Sequence, residues 1–593
     1  MISIISTNIT SPLGFTTEEN YQAVCAGRSS LRSGADGTAM RSYGGCLPQK
    51  EGGSWGLLEP FAASLFSEEQ LAALSIDGYT RFESLAIHSV REALSHTQLD
   101  VTSPKVVLIL STTKGNIGQS PSEAAQAIAK AIGLATTPIV VCNACVSGLS
   151  AQLLADHLIS ASLYDHAIVV GAEVQTEFIV SGFQSLKAVS EEPCRPFDIE
   201  RNGLNPGEAA ATIIFEAQTP SDSPSKGRTQ SKPFAIEGEG LGRGSVWHLM
   251  NGAVCNDAFH ISSPSPQANG LTAAIEAVME GWSSSQLASI CVHGTATLYN
   301  DQMESKAIQR AGLSDVPLSA LKGYYGHTMG AAGVLETILT MRATDDGIVL
   351  ASKGFTELGV SGKVCISNES KSTNKTSFLK LISGFGGCNV AALYSKEPLS
   401  NARREAGEST SLRRSSGLWS KTQTVRISSE DGKSLTEIYK QQIGDYPKFH
   451  KMDILSRLAF VAAELLKPSS NSPTMESLAP EVGSIILFNH SSSIVQDRQY
   501  LSTISDADNF FPSPSAFVYT LPNIAAGEIA IRHHLCGETS FYILPEKNDA
   551  LMQQILDVSL RSTNATSVIS GWVDAESEMT FECELSLYMR FAK

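Results

Sequence analysis

Short runs of apolar, mostly β-branched residues recur along the first part of this chain, at 106–110, 139–142, 167–170 and 211–215. The stretches 83–94, 122–132 and 148–160 have helical character. A strand of four or five residues with no polar alternation must be covered on both faces, and helices between such strands provide the cover. The pattern implies an α/β fold with mostly buried strands from residue 1 to about 395. A segment rich in Ser, Pro and Lys at 219–232 divides this region. It leaves halves of about 1–218 and 233–395, the second series of strands starting at 234–237 and ending at 390–394.

Beyond it, 396–421 carries Arg403, Arg404, Arg413 and Arg414 among many serines and reads as a polar linker. The rest, 422–593, reads as a degenerate repeat of the first half. In this comparison Arg81 to Leu85 matches Lys451 to Leu455, Val107 to Leu110 matches Ser484 to Leu487, and Gly171 matches Gly571. Cys145 stands 26 residues before the first glycine and Pro545 stands 26 before the second, so the repeat has no thiol there.

At 593 residues the chain is long enough for two or more domains. A formal charge of −16 argues against a nucleic-acid protein, although an acidic carrier partner would still need a local basic patch. No apolar run approaches the roughly 20 residues of a membrane span. The start, Met1-Ile2-Ser3-Ile4-Ile5, lacks a basic n-region and reads as a first strand. Eleven irregularly spaced cysteines fit free thiols in a reducing cytoplasm.

Four separated segments carry chemistry. The first is Asn143-Ala144-Cys145-Val146-Ser147-Gly148. Here a strand meets a helix, where the helix dipole lowers a thiol's pKa below about 8.5 and unpaired N–H groups can hold an oxyanion. Taken alone, Cys145 also reads as a small buried hydrophobe, and Cys142 with Cys145 as a redox pair. The second segment is His293-Gly294-Thr295-Ala296-Thr297, an imidazole followed by two hydroxyls suited to a linear polar ligand. The third is Lys322 followed by Gly326-His327-Thr328 and an apolar helix carrying Glu336, the counter-charge an interior amine needs. A salt-bridged helix start would explain Lys322 and Glu336 but not His293. The fourth is Gly384-Phe385-Gly386-Gly387, a turn that brings the backbone close to a ligand and places Phe385 as a gate. It lacks the Lys-Ser/Thr of a phosphate loop.

Together these segments resemble those of the elongating β-ketoacyl-acyl carrier protein synthases. Ser11-Pro12-Leu13-Gly14, Arg195-Pro196-Phe197-Asp198, Arg201-Asn202-Gly203, Gly207-Glu208-Ala209-Ala210 and Asn300-Asp301 with Glu304 add to the resemblance. It implies a thiolase-like fold, two related βα halves in an α-β-α-β-α layering. The chain from 422 on resembles half of such an enzyme without its nucleophile, like a chain-length-factor partner.

The resemblance further implies that Cys145 accepts an acyl group from phosphopantetheine, which arrives on an acyl carrier protein, so that no resident cofactor or metal is needed. His293 and His327 would hold the malonyl thioester and promote its decarboxylation. The Cys145 and Phe385 N–H groups would form the oxyanion hole, Lys322 and Glu336 would tune the site, and Thr295 and Thr297 would bind the pantetheine arm. The implied enzyme is a cytoplasmic acyltransferase of fatty acid, polyketide or polyene synthesis, working as a homodimer or with a related subunit. The alternatives are a non-catalytic partner of a separate synthase and a thiolase.

Two features depart from the family pattern. Asn143 and Val146 stand where Thr and Ser are common, and the segment 111–137 lacks the usual stretch that builds the dimer wall. The repeat has such a stretch at 511–537, which is expected to pack as a pseudo-subunit or to replace the missing wall.

Overall fold

The computed structural model describes residues 2–35, 58–218, 246–397, 418–466, 483–505, 510–562 and 565–591. Three successive groups of strands build one sixteen-stranded mixed sheet among them. The first group is β1 (Ile2–Thr10), β2 (Val106–Ser111), β3 (Ile139–Val141), β4 (His166–Glu173) and β5 (Ala209–Ala217). The second is β6 (Trp247–Asn256), β7 (Leu287–Cys291), β8 (Pro317–Ser319), β9 (Cys365–Ile366), β10 (Ser377–Gly384) and β11 (Cys388–Ser395). The third is β12 (Leu418–Ser428), β13 (Gly483–Asn489), β14 (Thr539–Ile543), β15 (Ser567–Ser577) and β16 (Thr580–Phe591).

Each group repeats one plan. Its first strand pairs antiparallel with the last, the last antiparallel with the next to last, and two parallel neighbours follow: β1-β5-β4-β2-β3, β6-β11-β10-β7-β8 with β9 beyond, and β12-β16-β15-β13-β14. The first two units join antiparallel through β1 and β6. The first and third join antiparallel through their short strands, with Val141 opposite Tyr542 and Val140 opposite Ile543. The edge of β3 is thus occupied by the chain's own third unit.

Helices layer the sheet. Outer helices α1 (Arg81–Ser95) and α2 (Pro121–Ile132) cover one side of the first unit. In chain order there follow α3 (Ser147–Ser160), α4 (Glu177–Ser185), α5 (Asn269–Met279), α6 (Leu298–Arg310) and α7 (Ala332–Asp345). α5 and α6 cover the outer side of the second unit, while α3 and α7 lie between the sheet faces. α7 is buried on all sides except at Arg342 and Asp345, as a central helix must be. α3 and α7 meet backbone to backbone: a Cβ on Gly148 would lie 2.7 Å from the Gly330 oxygen, and one on Gly333 would lie 2.5 Å from the Leu149 nitrogen. This approach brings the starts of the two helices together. The third unit adds α8 (Ile454–Leu465), α9 (Ile524–His533) and α10 (Asp549–Ser562).

Several boundaries differ from the sequence reading. β12 begins at Leu418, inside the stretch taken as linker to 421. It is the outermost strand of its unit, only Ile427 is buried among its described side chains, and its solvated residues hide the strand in the composition. Residues 398–417, most of the expected linker, and the expected strand at 234–237 lie outside the described residues.

The repeat also shifts in register. The capping residues Thr80 and Asp453 correspond, so Arg81 matches Ile454 rather than Lys451. Ser111 faces Gly171 as Leu487 faces Gly571, so Ser111, not Leu110, matches Leu487. Val141 faces Ser111 as Phe541 faces Leu487, which places Pro545 at the position of Cys145.

Candidate active site

Four chain segments converge at the start of α3. After β3, Ala144 takes a left-handed φ of 49°, and Cys145 sits in a single 3-10 turn before α3. The Ser147 hydroxyl closes this turn, accepting from the Asn143 N–H at 2.8 Å and donating to the Ala144 carbonyl at 2.6 Å. Asn143 accepts the Phe541 N–H through its side-chain oxygen at 2.7 Å. The departure from the family motif at this position therefore ties the Cys145 loop to the third unit. The Cys142 thiol turns away, toward the Thr113 carbonyl, and joins the core over the outer helices.

Left-handed non-glycine residues recur at Ala296 and Met329, in two of the other three loops that reach the site. Such conformations are held only where surrounding structure enforces them, and they gather at functional sites. His293 follows β7. Its own N–H and that of Gly294 donate to the two Glu304 oxygens at 2.6 and 2.9 Å, and its carbonyl accepts from Lys322 Nζ at 2.7 Å. His327 Nδ1 accepts the Met329 N–H at 3.2 Å, which leaves Nε2 to carry the proton of the neutral ring. The imidazoles meet edge to face with centroids 5.0 Å apart. A ligand atom from each of Cys145, His293 and His327 lies within 4.8 Å of the others. Among the described residues, neither His293 Nδ1 nor His327 Nε2 has a hydrogen-bond partner.

These groups floor a cavity of about 320 Å³. Thr295 and Thr297 line its wall with their hydroxyls 2.9 Å apart, and Leu298, Tyr299 and Asn300 continue that wall. Phe385 lies in the hairpin turn between β10 and β11 and lines the cavity too. A Cβ on Gly384 would lie 3.3 Å from the Cys145 nitrogen, so the two backbones lie side by side.

Burial dominates the electrostatics. It pushes the Cys145 thiol up to about 12, against the pull of Lys322, so the helix start does not leave the resting thiol acidic as the sequence suggested. Burial, followed by the positive charge of Lys322, holds both imidazoles well below the usual histidine range, hence neutral. Glu336 Oε1 accepts from Lys322 at 2.7 Å and Oε2 from Lys380 at 2.5 Å. Burial also pushes Glu304 and Glu173 up to about 7. Glu173 accepts the Thr113 and Gly330 N–H groups, each at 3.0 Å, which pins the turn after His327 to the end of β2.

All the residues expected from the sequence (Cys145, His293, His327, Lys322, Glu336, Phe385, Thr295 and Thr297) occur at this one place. Lys380, Glu173 and Asn523 were missed. Lys380 leaves a trace in the sequence, a lone charge in the apolar strand Phe378-Leu379-Lys380-Leu381-Ile382. The other two are visible only once the fold is closed.

The third unit packs behind the cavity lining, against α4 and the Phe385 turn. Asn523 donates to the Phe385 carbonyl at 2.8 Å. Phe517 packs on Phe183 and Phe178 of α4, with centroids 5.2 and 6.4 Å apart, and Tyr500 packs on Phe178 at 4.8 Å. These rings and Cys145 belong to one apolar cluster. Beside it Lys114, from the first unit, pairs with Asp497 at 2.6 Å. Both ions are buried, and stranding either one costs about 3–5 kcal/mol, so the pair fixes how the units dock.

Comparison with known proteins identifies the family. Residues 1–220 match the N-terminal domain of β-ketoacyl synthase and residues 248–356 match its C-terminal domain. A 3-oxoacyl-[acyl-carrier-protein] synthase 2 of Mycobacterium leprae is 30% identical over 276 residues, a match spanning 44% of this chain and 60% of that protein. The corresponding enzyme of Vibrio cholerae is 32% identical over 230 residues, 37% of this chain and 51% of that protein. Among solved structures, the PfaC keto synthase-chain length factor superposes with a TM-score of 0.69 at 13% identity, covering 99% of this chain and 78% of that one. That likeness extends the shared fold, thiolase-like as expected, through the third unit. The chain thus spans only about half to three-fifths of the length of those two enzymes, yet the two domain models together match more than half of it, and it belongs to the β-ketoacyl synthase family.

Proposed function

We propose that the chain is a β-ketoacyl-acyl carrier protein synthase, an acyltransferase that performs decarboxylative Claisen condensation. The observation that carries this reading is the convergence of Cys145, His293 and His327 within 4.8 Å at the floor of one cavity. The Cys145 thiol attacks the thioester of an acyl-carrier protein. A new C–S bond forms, the carrier thiol leaves, and the proton passes by way of a neutral imidazole. A malonyl thioester then enters past Thr295 and Thr297. His293 and His327 hold its carbonyl as the carboxylate leaves as CO2, and the charge left behind is stabilised as an enolate. Its carbon attacks the acyl carbonyl, whose developing oxyanion faces the N–H groups of Cys145 and Phe385. Collapse breaks the bond to Cys145, and the departing thiolate takes up a proton from water by way of an imidazole to restore the thiol.

In this reading no resident cofactor takes part, since the pantetheine arrives on the carrier protein. The third unit fills the place of a ketosynthase-like partner, so the homodimer or heterodimer suggested by the resemblance is contained within one chain. None of the ten described cysteines is joined in a disulfide, which fits a reducing cytoplasm. No described helix is long and apolar enough to cross a membrane. Fatty acid, polyketide and polyene synthesis all use this chemistry. The test is to mix protein, acyl-carrier protein and malonyl-carrier protein and to follow CO2 release and product mass. The wild type is expected to yield a chain two carbons longer. His293→Ala and His327→Ala are expected to release CO2 about 10²–10⁴-fold more slowly. Unchanged CO2 release in both variants would overturn the assignment.

A further inference from the structure

The buried ammonium of Lys380 has no part in the mechanism above, yet it sits among the groups that hold the histidines. Lys380 projects from the middle of β10 and is fully buried. Its Nζ donates to Glu336 Oε2 at 2.5 Å, to the Leu381 carbonyl at 3.0 Å and to the Val292 carbonyl at 3.4 Å. The other Glu336 oxygen takes Lys322, which also holds the His293 carbonyl. Glu304 takes the N–H groups of His293 and Gly294. The peptide groups from Val292 to Gly294 are therefore gripped by two ammonium groups on their carbonyls and one carboxylate on their N–H groups. Two lysines against Glu336 alone would leave an unbalanced interior charge. Glu304, which lies within Coulomb range of Lys380, completes the balance when ionised.

We propose that Lys380 is a positioning residue of this site: it fixes the strand end that carries His293 and supplies, with Lys322, the positive field that faces the two imidazoles. The proposal rests on the condensing-enzyme reading for its catalytic consequence but not for its structural one. Ionisable groups approach the pair from every surrounding element. They are Cys145 before α3, Glu173 at the end of β4, Cys291 at the end of β7, Asp301 and Glu304 on α6, Lys322 after β8, Glu336 on α7 and Lys380 on β10. Of these the two lysines are positive, and Lys187, Asp257 and His260 also line the cavity. After burial, Lys322 and Lys380 are among the causes that depress both imidazoles. Removing Lys380 subtracts a positive charge, so protonation of the imidazoles becomes easier and the acid limb of activity moves toward higher pH.

The test uses the full chain as wild type, Lys380→Met and Lys380→Arg, with two readouts. The first is a pH titration of isotope-labelled histidine by NMR, which reads the imidazoles whether or not condensation occurs. The second is the pH profile of CO2 release from malonyl-carrier protein. In Lys380→Met a pair of histidine resonances is expected to gain proton affinity about tenfold, with the acid limb moving up by about one pH unit. Lys380→Arg, which keeps the charge, is expected to stay near the wild-type profile. If Lys380→Met does not fold, Lys380→Gln replaces it and is expected to show the same displacement. Histidine titrations that are the same with and without the charge overturn the proposal, as does a uniform loss of activity with an unmoved pH profile. Moved titrations without CO2 release from the wild type would uphold the role of Lys380 while removing the condensing reading.

Discussion

The first and third units, residues 2–218 and 418–591, share one strand order, one set of strand directions and matching helices, and they differ where the strands end. Beyond β3 the first unit has a left-handed alanine and Cys145; beyond β14 the third has Pro545. The first unit contributes the thiol to a cavity closed off by His293 and His327 of the second. The third contributes Asn523 to the Phe385 turn, Phe517 and Tyr500 to the apolar cluster beside Cys145, and Asp497 to Lys114. The comparison separates two demands on one scaffold. A buried parallel strand core can persist for packing alone, while chemistry depends on a few residues in the loops at the strand ends.

The most severe way to break the comparison is to remove the third unit. A chain ending at residue 397 would bare the edge of β3, uncover the rings of α4 and leave Lys114 without Asp497. Such an edge invites pairing with other chains. We expect the truncated protein to aggregate or self-associate and to lose acyl loading, as read by gel filtration with light scattering and by mass. Unchanged oligomeric state, activity and chain-length preference would show that the third unit is dispensable. A milder change sharpens the comparison. Phe517→Ala deletes a ring packed against Phe183 and Phe178 and is expected to destabilise the fold by about 3–5 kcal/mol in denaturant melts. Because this ring belongs to the cluster that holds Cys145, the variant is also expected to load bulkier acyl groups than the wild type. Unaltered acyl selectivity would assign Phe517 to packing alone.

The sequence made the scaffold legible where strands are covered on both faces, because β2, β3 and β4 read as unbroken apolar runs. It was misleading at β12, whose solvated residues look like a tether. The four motifs located the site because each is a loop with unusual composition, and they recur in one family. For the Cys145 thiol the local reading pointed the opposite way to burial. The helix start favours the thiolate, but the burial that opposes it depends on α4, Phe385 and the third unit, which no local window contains. Asn143 looked like a lapse from the motif and becomes intelligible only opposite Phe541, a pairing 398 residues apart. Lys380 was visible as an odd charge in an apolar strand, but its partners Glu336 and Val292 come from other elements.

The central claim is that one chain holds one acylatable site, at Cys145, with the third unit as its silent partner. Intact-protein mass measurement after incubation with acyl-carrier proteins of graded chain length tests this most directly. The account predicts a single acyl adduct per chain in the wild type, mapped to Cys145, and none in Cys145→Ala. An adduct that survives in Cys145→Ala, or a wild type that takes up no acyl group from any donor, would contradict it.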